Sequence, residues 1–179
     1  MSRIGRRKIE ILQDVKISLN NSHLSVEGPL GKLENTFSSL IEIKQEDNFL
    51  LTIRKNEEKA TKQLHGTTNA IINNMICGVK NGFTKEIVIK GVGYRANASG
   101  NKVTISAGFS HPVEVPIIEG VKVTNVSPTE LKVEGIDKVK VGQQAANLIA
   151  IKKPSIYSGK GIMYKNQKLI LKEGKKSSK

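Results

Sequence analysis

The feature that most constrains this chain is a repeat. Apolar runs with strand-like alternation recur at nearly constant distances: Leu24 to Val103 is 79 residues, Ile41 to Val121 is 80, and Ile53 to Val133 is 80. Helical stretches follow suit, with Asn69 and Asn147 separated by 78. A chain of 179 residues has room for two such copies, each large enough for its own small core. The spacing therefore predicts a tandem duplication.

In the first half, Val15-Lys16-Ile17-Ser18-Leu19 and Leu24-Ser25-Val26-Glu27 alternate apolar with polar around Asn20-Asn21-Ser22, which predicts a hairpin. Gly28-Pro29-Leu30-Gly31 breaks the chain, and Ile41-Glu42-Ile43 and Leu50-Leu51-Thr52-Ile53 predict two further strands across a turn from Gln45 to Asn48. From Glu58 the period lengthens. Leu64, Thr67 or Thr68, Ile71, Ile72 and Met75 recur at three and four, one face of a helix that Gly78 is expected to end.

The second half repeats the plan. Ile87-Val88-Ile89, Val103-Thr104-Ile105, Val113-Glu114-Val115, Val121-Lys122-Val123 and Leu131-Lys132-Val133 are short alternating runs between Gly, Pro, Ser and Asn. A helix follows, with Val141, Ala145, Leu148 and Ile149 on one face. Strands followed by one helix, twice over, predict an α+β fold of two tandem duplicated domains, each a small, mainly antiparallel sheet packed on one helix. The expected domains are 1–82 and 83–179, with Gly78 to Gly82 as a flexible joint.

Charge separates the halves. The net formal charge is +13, yet residues 1–82 hold 12 Lys and Arg against 9 Asp and Glu, while residues 83–179 hold 17 against 7. Residues 152–179 alone carry 9 Lys against the single acid Glu173. Such density attracts a polyanion, and nucleic acid is the commonest. A membrane surface fits poorly, because the basic stretch lacks an amphipathic helix with bulky apolar anchors. One cysteine, Cys77, gives no internal disulfide, and no apolar run reaches signal-peptide or membrane-spanning length, so the expected location is the cytoplasm.

Each kind of catalytic site fails on the residues. His23, His65 and His111 are 42 and 46 residues apart and Cys77 has no CxxC partner, so no metal set forms, and each His is expected at the surface or in a turn. Gly108-Phe109-Ser110-His111-Pro112 resembles a nucleophile elbow until Pro takes the last glycine position. Gly91-Val92-Gly93-Tyr94 lacks the third glycine of a dinucleotide loop. Ser158-Gly159-Lys160-Gly161 echoes a phosphate loop, but Pro154 stands at its upstream glycine and Gly161 replaces the magnesium-binding hydroxyl. The sequence predicts no enzyme and no cofactor.

Binding chemistry remains, in the stretch from Asp137 to Lys165. Pro154 stops the helix and fixes where a loop leaves it. Gly159 and Gly161 let a nucleic-acid backbone come close and aim N–H groups at phosphate oxygens. Lys152, Lys153, Lys160, Lys165 and Lys168 add charge along the same track. Tyr157 and Tyr164 flank the glycines and supply rings for stacking on unpaired bases. A second basic cluster, Arg3, Arg6 and Arg7 with Lys8, surrounds Gly5 as an N-terminal arm.

Several stretches in order carry a resemblance to a known family. They include Ser2-Arg3-Ile4-Gly5, His65-Gly66-Thr67-Thr68, Gly82-Phe83-Thr84-Lys85, Gly91-Val92-Gly93-Tyr94-Arg95-Ala96, Gly108-Phe109-Ser110-His111-Pro112-Val113, Val141-Gly142-Gln143 and Tyr157-Ser158-Gly159-Lys160-Gly161-Ile162. Over essentially the whole chain this resembles the bacterial type of large-subunit ribosomal protein number six. The resemblance implies two duplicated α+β domains, a structural role without catalysis, and binding of large-subunit rRNA mainly through the C-terminal domain. It also implies neighbouring large-subunit proteins as partners, with translation factors close by. Asn69 and Ile149 stand where the family usually has arginine, Met163 where an arginine often follows the loop, and Ser158 where it has lysine. The alternative from another class is a free-standing, sequence-tolerant RNA- or DNA-binding protein, which would need aromatics spread over an exposed sheet.

Overall fold

The structure is a computed structural model that describes residues 3–175. These fall into two compact units that part between Gly82 and Phe83, with Ile136–Lys138 grouped with the first. The first unit runs β1 (Ile9–Glu10), β2 (Lys16–Asn20), β3 (His23–Gly28), β4 (Gly31–Thr36), β5 (Ile41–Glu46), β6 (Phe49–Arg54) and α1 (Lys59–Asn81). The chain continues as β7 (Phe83–Lys90), β8 (Arg95–Ser99), β9 (Lys102–Ser106), β10 (Val113–Pro116), β11 (Val121–Ser127), β12 (Glu130–Gly135), α2 (Lys138–Ile151) and β13 (Gly161–Tyr164).

The class is α+β, and every strand pair among the described residues is antiparallel. Each repeat divides its strands between two small sheets. In the first they run β1-β6-β5 and β2-β3-β4; in the second, β7-β12-β11 and β8-β9-β10, the same two orders. The second repeat adds β13 outside β7, and this strand has no counterpart among the described strands of the first.

Alternation decides what each sheet buries. In β3, Leu24 and Val26 face inward and in β9 Val103 and Ile105 do, all with no exposed surface. α1 adds Ile72, Ile76 and Val79 to one core, and α2 adds Val141, Ala145 and Leu148 to the other. Each such Leu, Ile or Val side chain contributes roughly 1.5–3 kcal/mol through burial. The β2–β3 connection is Asn21-Ser22, with Asn21 at φ 53, a left-handed conformation that Asn tolerates better than most residues.

Registers correct the offsets read from the sequence. Leu24 and Val103 do correspond, 79 residues apart. In β6 and β12, however, the buried pairs are Leu50 with Thr52 and Leu131 with Val133, so the offset is 81, not the 80 that paired Ile53 with Val133. Ile53 faces outward, as a one-residue slip in a strand requires. The helices bury His65, Thr68, Asn69, Ile72 and Val141, Gln144, Ala145, Leu148 with identical spacing. His65 therefore matches Val141, 76 residues on, and Asn69 matches Ala145 rather than the exposed Asn147.

Gly78 does not end α1. It is buried within the helix, which continues to Asn81 and closes at Gly82, where φ is 71 and the N–H donates to the Gly78 carbonyl at 2.9 Å. Glycine adopts this positive φ without the steric cost other residues carry, and the chain leaves the helix there. Gly78 to Asn81 is thus helix rather than a flexible joint.

Candidate nucleic-acid interface

α2 ends at Ile151, three residues before Pro154, and the chain then folds into a turn satisfied from within. The Ser155 N–H donates to the Lys160 carbonyl and the Gly159 N–H to the Ser155 carbonyl, each at 2.9 Å. Ser155 Oγ accepts from the N–H groups of Tyr157 at 3.3 Å and Ser158 at 3.4 Å. At its base the Ile162 N–H donates to the Lys152 carbonyl at 2.8 Å, and from outside the Lys172 N–H reaches the Ile156 carbonyl at 2.9 Å. The loop therefore has a defined shape of its own.

That shape changes the role of both glycines. Gly159, at φ 68, spends its N–H on Ser155 and lies under Leu171, whose Cδ2 would be 3.5 Å from an added Cβ. Gly161 is buried at φ 145, and a Cβ there would fall 2.5 Å from Pro154 Cα and 2.8 Å from the Lys153 carbonyl oxygen. Neither glycine offers the phosphate-cradling N–H expected from the sequence, because one is hydrogen-bonded internally and the other is enclosed. They are glycines so that the loop can close.

The side chains divide into two groups. Lys153, Lys160 and Lys168 are exposed, and Tyr157 is 62% exposed at the crest of the turn. Lys152 is half-buried, with Nζ 4.8 Å from the ring centroid of Phe109. Tyr164 is not a free stacking platform: it packs against the second core, and Lys85 Nζ lies 5.7 Å from its ring centroid. Lys165 lies between Glu86 at 3.1 Å and Glu130 at 3.6 Å. The hydrogen bond to Glu86, with the attraction of both carboxylates, holds the Lys165 ammonium above the usual lysine range. The two carboxylates therefore compete with any polyanion for this charge.

Arg3, Arg6 and Arg7 are exposed on the first unit, in a turn closed by the Arg7 N–H donating to the Ile4 carbonyl at 3.1 Å. Beneath them His65 is 4% exposed, which corrects its expected surface location. Its Nε2–H donates to the Thr52 carbonyl at 2.8 Å. The positions where the resemblance expected basic residues are also mostly internal. Asn69 is buried, Met163 is in the core, and Ile149 packs partly buried against it, leaving Ser158 exposed. Ser2, Lys176 and Lys179 lie outside the described residues.

Among the described residues no group of three or more His, Cys, Asp or Glu could hold a metal, and no helix is long and apolar enough to cross a membrane. The sequence model of the family "Ribosomal protein L6" matches residues 11–82 and 90–165, most of each repeat. The chain belongs to the ribosomal protein L6 family. It is 52% identical over 179 residues to the large ribosomal subunit protein uL6 of Metamycoplasma arthritidis (strain 158L3-1), covering 100% of both chains. It is similarly 51% identical over 180 residues to the uL6 of Mycoplasma capricolum subsp. capricolum, again over 100% of both. The uL6 of Dictyoglomus turgidum is 46% identical over 180 residues, with the same full coverage. The L6 family consists of structural ribosomal proteins, not enzymes. In this L6-family chain the first match stops at the α1 cap, Gly82, whereas the second passes through the loop and β13 to Lys165.

Proposed function

We propose that this chain is a structural constituent of the large ribosomal subunit in the cytoplasm, and that it binds large-subunit rRNA mainly through its C-terminal repeat. The observation that carries this reading is the self-supported loop from Lys152 to Ile162, which presents Lys153, Tyr157 and Lys160 outward, with Lys168 also exposed further along the chain. A preformed loop loses little conformational entropy on binding, so its cations and one aromatic ring act together. Lys152, Gly159, Gly161, Tyr164 and Lys165 support the same contact from behind, by shaping the loop and seating β13. Arg3, Arg6 and Arg7 make a second contact. Neighbouring large-subunit proteins and the translation-factor binding region are the expected surroundings, as the family resemblance implies.

Sedimentation tests this reading. Co-migration with large subunits after a high-salt wash is the expected result; a protein found only in the free soluble pool contradicts it and favours a sequence-tolerant nucleic-acid binder.

A further inference from the structure

The two repeats place different chemistry at equivalent positions. Where the second has Val133, Val141 and Ala145, the first has Thr52, His65 and Asn69, all buried. The fold is therefore satisfied with apolar side chains there, and burying polar ones costs free energy unless each finds a partner. In the first repeat two of those partners lie in the N-terminal arm. Asn69 Nδ2 donates to the Arg7 carbonyl at 2.9 Å, with the Gly5 carbonyl at 3.4 Å and Thr52 Oγ1 at 3.2 Å. Thr52 Oγ1 donates to the Gly5 carbonyl at 3.0 Å. The His65 ring, fixed by its bond to the Thr52 carbonyl, lies so close beneath Gly5 that a Cβ there would come 2.5 Å from Nδ1.

From this we infer that Thr52, His65 and Asn69 are positioning residues for the second RNA contact: they hold the turn from Arg3 to Arg7 in place, so that its three arginines meet rRNA as a preformed cluster. A loose arm of this length would have to be ordered on binding, which lowers affinity. The buried trio removes that cost without touching RNA. The second repeat, which begins directly after the α1 cap and has no such arm, keeps the apolar residues.

This inference rests on the rRNA-binding reading, and the test separates the two. Binding of the full chain to a transcript of large-subunit rRNA is measured by filter retention across a salt series. The comparison covers wild type, Asn69→Ala, Thr52→Val, Gly5→Ala, and the triple variant Arg3→Ala/Arg6→Ala/Arg7→Ala, with and without Asn69→Ala. Thr52→Val installs the residue that the second repeat carries, which spares the fold should Asn69→Ala not express. The triple variant is expected to flatten the log–log salt slope by about 2–3, at about 1 per lost cation. Each positioning variant is expected to weaken binding at fixed salt by at least about fivefold, and Asn69→Ala to add nothing in the triple background. Wild-type affinity in all positioning variants, or an Asn69→Ala effect that persists undiminished without the arginines, overturns the inference alone. Failure of the wild-type chain to bind the transcript overturns the rRNA reading together with it.

Discussion

Gly161 packs against Pro154 so closely that the Cβ of any other residue would lie 2.5 Å from the Pro154 Cα. This contact joins the break after α2 to the first residue of β13, and with it the loop to the sheet. Alanine there meets both a backbone clash and a φ of 145 that L-residues rarely adopt. Gly161→Ala is expected to destabilise the second repeat by about 2–4 kcal/mol, from overpacking and backbone strain together. Chemical denaturation of the wild-type and variant chains measures this; an unchanged midpoint means that Pro154 yields readily.

Lys160 and Lys165 differ only in their surroundings. Lys160 is exposed, whereas Lys165 is paired with Glu86 and Glu130. Lys160→Ala is therefore expected to flatten the salt dependence of rRNA binding by about 1, and Lys165→Ala by much less. Equal effects in filter binding show that the carboxylates do not neutralise Lys165. Lys160→Ala combined with Lys168→Ala is expected to lower affinity further while leaving the unfolding transition in place.

Strands that alternate clearly were legible in the sequence, as Ile17, Leu19, Leu24 and Val26 show on the β2–β3 hairpin. β1 was missed because a pair of residues, Ile9-Glu10, carries no period. β4 was missed because Lys32 and Glu34 form an exposed ion pair in a strand with little apolar surface, and β8 because Arg-Ala-Asn-Ala-Ser offers only small apolar side chains. β13 escaped for the opposite reason: Ile162 and Met163 are both buried, which breaks alternation. At the candidate site, the exposed lysines and Tyr157 were legible as an outward-facing group. The internal hydrogen bond of Gly159 and the two acids beside Lys165 were not, since both depend on partners brought together only by the fold.

The Lys165 ammonium titrates above the usual lysine value of 10.5, chiefly because of its hydrogen bond to Glu86. A raised folded-state pKa means that the contribution of the lysine is fully present below the unfolded value and is lost only as pH rises through the folded one. Stability is therefore expected to show no dependence on this lysine between about pH 6 and 9, with the loss confined to more alkaline solution. An NMR titration of the Lys165 side chain is expected to report a midpoint above that of free lysine, falling back in Glu86→Gln. A midpoint that does not respond to Glu86→Gln removes Glu86 as the cause.

In the proposed function, exposed cations of the second repeat, aided by the arm, hold large-subunit rRNA by charge. Filter binding of the full chain to a large-subunit rRNA transcript across a salt series tests it most directly. With about 6 phosphates neutralised, log K is expected to fall with log salt at a slope of roughly −4 to −5. A slope near zero contradicts the account.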